Sequence, residues 1–438
     1  MAANLSGGNP PPGAPSGATV VPFGIEATPG DPVLRWDQRA TSVAEIDREL
    51  GRIWASRRAE TAREPGGERT VAARTSVLNL VVVARSPELG ELAAATLAAG
   101  MGRHPSRTLI LVPTDPDGPG WLRADVRAYC MVPRAGAAET CAEQVYVTAG
   151  GETGCHLEAI VAPLLIHDLP LTVWWPGNPP FGANLARGLV GTADRLVVDG
   201  SRWSGDGLDR LIALAGLARP SLPISDFALM RQARWREAVA SVFDREAFQP
   251  YLRALRRIAV TYATHGGTDE EAATNLVKPV YHVAWLASRL ELRVAEPLAR
   301  VERPASASRG TAARPGAPAD PGRGLRAHLA RQRGPDIEVV IRPVISGMPS
   351  GTTLRVELLA ERRGSELRAE VTAEAESVRV RVWEDGVEAL DRLFHAARRT
   401  DADLLTEAIE AGGRDPVAEG SLAMAARLAG PAQAGTGA

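Results

Sequence analysis

The glycines at 150, 151 and 154 are the first residues of this chain whose type and spacing could serve chemistry. They lie between a strand-like run and a helix-like run, where backbone N–H groups and a helix start can cradle a phosphate. The pattern is GGxxG, short of a full dinucleotide fingerprint, and a plain turn with positive φ asks for the same residues. His104, Ser106 and Arg107, in a loop shaped by Pro105, are a second candidate. Such a loop can grip a phosphate or carboxylate through the forked guanidinium, and it is equally a polar lead-in to a strand. Trp174 and Trp175, followed by Pro176, Gly177 and Asn178, are a third. Adjacent strand residues point to opposite faces, so the pair is either a core device or a partner contact. Cys130, Cys141 and Cys155 could form a redox pair or stay buried thiols. With gaps of 11 and 14 residues and no CxxC, they do not predict a metal site.

Composition removes several other chemistries. Lys278 is the only lysine and Pro279 follows it, so there is no Gly-Lys-Ser/Thr phosphate loop. No GxSxG elbow, HExxH helix or calcium loop occurs. No nucleophile has a base beside it, and no cofactor motif appears. A net charge of −2 favours neither nucleic acid nor an anionic membrane. The sparse, odd cysteine count, the absence of a leader-like start and the absence of a 20-residue apolar run predict a soluble, cytoplasmic protein.

The elements that must position these residues come in two styles. Ser42 with Glu45 makes a capping box for an amphipathic helix over about 42–60. Ser76–Ala84 and Thr108–Val112 are near-continuous apolar runs, as in strands covered on both faces. Between them Ser86 and Pro87 open a helix that Gly100 closes. Strands are expected over Asp125–Val132, Glu143–Thr148, Leu171–Trp175 and Arg195–Asp199. A helix over about 153–167, bent at Pro163, and another over 206–217 complete an alternating pattern. Ser225 is expected to cap a long helix to about Asp244. Tyr251–Tyr262 fits helix or strand. Thr268 with Glu271 caps a helix that Pro279 bends. Alternating runs at Asp336–Val344, Thr352–Glu361, Ser365–Ala375 and Ser377–Trp383 predict half-buried antiparallel strands. Helices at about 386–398 and 400–411 finish the chain.

The fold expected is therefore α/β, with an N-terminal doubly wound, mostly parallel sheet domain followed by an α+β domain with an antiparallel sheet. Its limits are a disordered tail over 1–34, an α/β domain over 35–222 and an α+β domain over 223–430. A Pro/Gly-rich insertion covers 303–324, and a second tail covers 431–438.

The HPSR loop (His104–Arg107), the LTVWWPGNPP block (Leu171–Pro180) and the ARWREAVASVFD helix around Trp235 fall in one order. In that order the chain resembles the OpcA-type glucose-6-phosphate dehydrogenase assembly proteins of actinobacteria and cyanobacteria, from about Arg35 to Ala429. The resemblance implies a non-enzymatic partner, without cofactor, in the pentose phosphate pathway. It would bind glucose-6-phosphate dehydrogenase, assist its assembly and activate it allosterically. In cyanobacterial relatives cysteines bring thioredoxin-type redox control. One sequence does not match Cys130, Cys141 or Cys155 to those cysteines, and they stand as redox candidates only. His104, Ser106, Arg107, Trp174, Trp175, Pro176 and Asn178 are the candidate partner- or ligand-binding residues. The alternative is an enzyme or sensor that binds a sugar phosphate or nucleotide at the strand ends near Gly150–Gly154 and Arg107.

Overall fold

The computed structural model describes residues 20–21, 28, 30–61, 76–100, 103–132, 139–180, 187–265, 274–301, 324–332 and 334–430. They divide into two compact units, one built from residues up to Val197 with Asp401–Glu410, the other from Val198–Thr400 with residues from Ala411 on.

The strands of the first sheet are β1 (Val33–Ala40), β2 (Leu78–Val83), β3 (Ser106–Thr114), β4 (Trp121–Met131), β5 (Thr140–Gly150), β6 (Leu171–Trp175), β7 (Arg195–Val198) and β8 (Ile224–Asp226). They run in the order β1-β4-β5-β3-β2-β6-β7-β8. Parallel pairs join β2 to β3, β2 to β6 and β3 to β5. The β1–β4 and β4–β5 pairs are antiparallel. Every residue of β2 is buried, as its unbroken apolar run requires. The crossover from β2 to β3 is the Pro87–Ala99 helix, whose cap Ser86 accepts from the Leu89 N–H. On the other face, Ile46, Leu50, Ile53 and Trp54 of the Val43–Thr61 helix are buried.

The second sheet is mostly antiparallel. Its strands are β9 (Leu255–Thr264), β10 (Arg293–Val301), β11 (Gly324–Ala330), β12 (Ile337–Ile345), β13 (Thr353–Arg362), β14 (Ser365–Ala373), β15 (Ser377–Glu384) and β16 (Val387–His395). The order is β10-β11-β12-β9-β13-β14-β15-β16, with β9 and β12 parallel. Val356, Leu358 and Ala360 point inward, while Arg355 and Glu357 belong to the more solvated face with Arg368. An irregularity between Thr353 and Arg355 breaks this alternation, so Leu354 leaves the buried row that its sequence pattern assigns to it.

Three expected helices are corrected. In place of the helix expected over 386–398 stands β16 (Val387–His395), because Asp385 and Gly386 both have positive φ (50° and 80°) and turn the chain back as a two-residue hairpin. The expected 153–167 helix is two short helices, Gly151–Cys155 and Leu157–Val161, and a 3-10 turn at Ala162–Leu164. The helix breaks at His156 (φ −117°, ψ 59°), ahead of Pro163. The expected 225–244 helix begins as β8. Asp226, not Ser225, then caps Phe227–Met230, and a separate helix covers Ala233–Val242. Tyr251–Tyr262 resolves into a 3-10 turn and β9. Pro279 lies in the first turn of the Val277–Arg289 helix, where a missing N–H is tolerated. The Pro416–Ala429 helix, capped by Asp415, adds to the expected set. Thr268 and Glu271 lie outside the described residues, as do the 1–19 and 431–438 tails and 303–323.

Candidate functional site

The carboxyl ends of parallel strands are where open α/β sheets hold ligands, and Gly150 ends β5 at that edge. The three glycines there serve close packing of the chain on itself. A side chain at 150 would strike the Trp121 indole. Gly151 has φ +58°, and its N–H donates to Asp115 O at 2.9 Å. A Cβ on it would lie 2.6 Å from the Pro119 carbonyl carbon. The 115–120 turn therefore takes the amide a bound phosphate would use. The helix that follows, Gly151–Cys155, is a single turn.

His104–Arg107 sits at the opposite edge, where β3 begins. His104 Nε2 lies 3.1 Å from Glu410 Oε1, and Ser106 Oγ lies 3.1 Å from Thr108 Oγ1. Arg107 is 5% exposed. Its Nε donates to Glu143 Oε2 and its Nη1 to Leu164 O at 2.7 Å. Glu143, wholly buried, also accepts from Trp54 Nε1. The parallel register of β3 and β5 sets Arg107 beside Glu143. A buried guanidinium needs such a counter-charge, because an unpaired charge away from water is very costly. The loop and the glycine turn, at opposite strand ends, do not converge.

Trp174 and Trp175 are each 1% exposed. Strand alternation sends them to opposite faces of β6, and both faces are covered. Pro176 and Gly177 are buried as well, and Asn178 is half-buried. A Cβ at 177 would lie 2.6 Å from Leu89 Cδ1, so the turn closes onto the Pro87–Ala99 helix. Both indoles are thus placed for packing.

Cys130 and Cys141 face each other across the β4–β5 ladder and form a disulfide, with Cα atoms 4.0 Å apart. Both are fully buried, while Cys155 is free and half-buried. Glu139 lies beside the bridge and pairs with Arg35 at 2.8 Å. Bridged sulfurs are not thiolates, the form that ligates metals. The sequence leaves the cysteines as buried thiols or an unassigned redox pair; the antiparallel β4–β5 register is what sets Cys130 opposite Cys141.

The second unit holds a buried polar set that has no motif signature. Asp199 accepts from Ser201 Oγ at 2.6 Å, Arg202 Nε at 2.9 Å and Arg231 Nη1 at 2.8 Å. Burial raises the Asp199 pKa, but the hydrogen bonds and charge of Arg231, together with Ser201 and Arg202, outweigh it and hold the carboxyl below its ordinary value. Asp226 accepts from the Gly200 and Ala228 N–H groups at 2.9 and 2.8 Å and from Tyr281 Oη at 2.8 Å. Burial pushes its pKa up to about 6. Burial also lowers Lys278, with Arg231 adding to the effect. It takes His282 down to about 3, which keeps the imidazole neutral. Structural ion-pair networks shift pKa values as functional sites do. Here the carboxylates are engaged by protein donors that tie Gly200, Phe227–Met230 and Val277–Arg289 together.

Two family profiles match this chain. One is described as the glucose-6-phosphate dehydrogenase subunit N-terminal domain, over residues 98–214, and the other as its C-terminal domain, over 222–422. Two curated relatives are each named a putative OxPP cycle protein OpcA. The Nostoc punctiforme protein is 29% identical over 193 residues, which is 43% of this chain and 38% of the relative. The Synechocystis protein is 27% identical over 234 residues, 53% of this chain and 45% of the relative. The matched region thus spans less than half the length of either relative. Among solved structures, an NAD-binding oxidoreductase from Klebsiella pneumoniae is similar at 11% identity and a TM-score of 0.44. That match covers 80% of this chain and 94% of that one, and a likeness of this degree carries no functional argument.

Proposed function

We propose that this chain, which belongs to the OpcA family of glucose-6-phosphate dehydrogenase assembly proteins, binds glucose-6-phosphate dehydrogenase and favours its active oligomer. The observation that carries this reading is the pair of dehydrogenase-subunit profiles, which fall in order along both halves of the chain. The geometry supports a binding role over a nucleotide or sugar-phosphate site at β5. At the carboxyl end of β5 the Gly151 amide is bonded to Asp115, and at the opposite strand end Arg107 is enclosed with Glu143.

An activator must bind the active form of its target more tightly than the inactive form. A coupling of roughly 1–3 kcal/mol changes substrate affinity by about 5–150-fold. Aromatic and arginine side chains dominate such contacts. With both members of the Trp174–Trp175 pair buried, Trp121, 40% exposed, is the indole we assign to the contact.

The test adds the purified chain to purified glucose-6-phosphate dehydrogenase. A lower apparent KM for glucose 6-phosphate, or a shift in oligomer size, is expected, with no turnover by the chain alone. Unchanged kinetics together with an unchanged elution profile at micromolar concentration would sink the reading.

A further inference from the structure

Lys278, the only lysine of the chain, belongs to the second unit and lies in the first turn of the Val277–Arg289 helix. Val277 before it packs on Gly200, where a Cβ would lie 2.8 Å from Val277 Cγ1. Gln232 Nε2 donates to Lys278 O at 2.8 Å. The lysine is therefore held between the Gly200–Arg202 turn and the Arg231–Gln232 segment. It is half-buried, and its ammonium has neither a hydrogen bond nor an ion pair among the described residues. Its Nζ keeps access to solvent.

The charges around it are mostly of its own sign. Arg231 Nη1 and Nη2 donate to Asp199 Oδ1 and Oδ2 at 2.8 and 3.0 Å, and Arg202 Nε donates to Oδ2 at 2.9 Å. The Ser201 N–H and Oγ also donate to Oδ1. One carboxylate thus serves two guanidiniums and is filled by protein donors. Asp226, beside Gly200, is engaged by the Gly200 and Ala228 amides and by Tyr281. Arg398, in the segment after β16, is exposed and has no ion pair among the described residues. Burial apart, Arg231, Arg202 and Arg398 oppose the charge on Lys278, and Asp199 supports it. Arg202, Arg231, Lys278 and Arg398 against Asp199 and Asp226 leave positive charge in excess. Like charges repel more strongly where water is partly excluded, and a cation that no protein group meets is costly to keep there. A bound anion offsets that cost.

We propose that Lys278 and Arg398, beside the Arg202–Arg231 pair, form a binding site for a phosphate dianion, taken free or as a monoester. Lys278 supplies a point charge and Arg398 a forked donor that matches two phosphate oxygens. Arg202 and Arg231 add their positive field from their place on Asp199. The excess of charge suits a dianion better than chloride. The site lies in the second unit, away from the glycine turn and from Arg107, and it is independent of the dehydrogenase partnership.

Inorganic phosphate, glycerol 3-phosphate and chloride, at matched ionic strength, are the probes on the full chain, read by thermal shift and by titration calorimetry. A native-state ligand raises Tm saturably. Phosphate or its monoester is expected to do so at millimolar concentration, and chloride is not. Whichever of the two binds more tightly shows whether the anion is taken free or as an ester. Lys278→Met keeps the apolar stem and removes the charge. It should weaken binding at least about tenfold, the worth of one charge-assisted hydrogen bond. Arg398→Gln, at an exposed position, should weaken it roughly two- to fivefold, and it carries the test if Lys278→Met does not fold. Arg103→Gln, in the first unit, should leave binding unchanged. Any of four results would overturn the proposal. They are no saturable shift with either phosphate, an equal shift with chloride, a loss in Arg103→Gln as large as in Lys278→Met, and full affinity in Lys278→Met or, should that variant not fold, in Arg398→Gln.

Discussion

Replacing Asp226 with asparagine isolates the cost of one buried charge. The carboxylate is 4% exposed at the residue level and is held by three donors, the Gly200 and Ala228 amides and the Tyr281 hydroxyl. Burial nonetheless pushes its pKa from the ordinary 3.8 up to about 6. That is a difference of roughly two units. At about 1.4 kcal/mol per unit it corresponds to about 3 kcal/mol between protonation states.

The folded pKa lies above the unfolded one, so the folded state keeps a proton that the unfolded state has released. The stability from that proton is fully present below about pH 4 and is lost as pH rises through about 6. Asparagine keeps an acceptor for the two amides, can donate to the Tyr281 oxygen and does not titrate. The variant should therefore gain on the wild type by about 3 kcal/mol between about pH 4 and pH 7, and the gain should level off above that. Urea unfolding of both proteins at one-unit pH steps measures the difference. A difference that stays constant over this range, or that moves toward the wild type as pH rises, would mean that burial does not raise the Asp226 pKa.

Further substitutions probe the first unit at three places. Trp174→Ala and Trp175→Ala each empty a site 1% exposed, and each should cost about 3–5 kcal/mol in urea unfolding. A cost near zero would mean that the indole is not core. Glu143→Gln leaves Arg107 buried without its counter-charge. A loss of about 3–5 kcal/mol is expected, and restoring some of it with a second change, Arg107→Met, would confirm the pairing. Gly151→Ala places a Cβ against the Gly118 carbonyl at φ +58°. It should lower stability by more than about 1 kcal/mol in thermal unfolding, whereas Gly191→Ala, with open space around it, should not.

The architecture was legible where one local signal sufficed. The all-apolar β2, the Ser86–Pro87 helix start and the alternating β13 needed only periodicity and caps. The 386–398 segment shows where that reading fails. Its spacing suits a helix, but the Asp385–Gly386 turn decides the outcome, and the turn dipeptide was the stronger signal. Site residues were harder to read, because their meaning depends on register. Arg107 looks like an anion-binding side chain until parallel pairing places Glu143 beside it. Cys130 and Cys141 become a bridge only once β4 and β5 are aligned. Asp199 and Arg231, 32 residues apart, meet through a turn and a helix start that carry no motif.

The proposed function is a physical partnership with glucose-6-phosphate dehydrogenase. The direct measurement is the apparent KM for glucose 6-phosphate of the purified dehydrogenase, titrated with this chain while oligomer size is followed by light scattering. A saturable fall in KM, or a shift to a larger assembly, is expected at micromolar chain concentration. A KM and a mass that both stay fixed across the titration would contradict it.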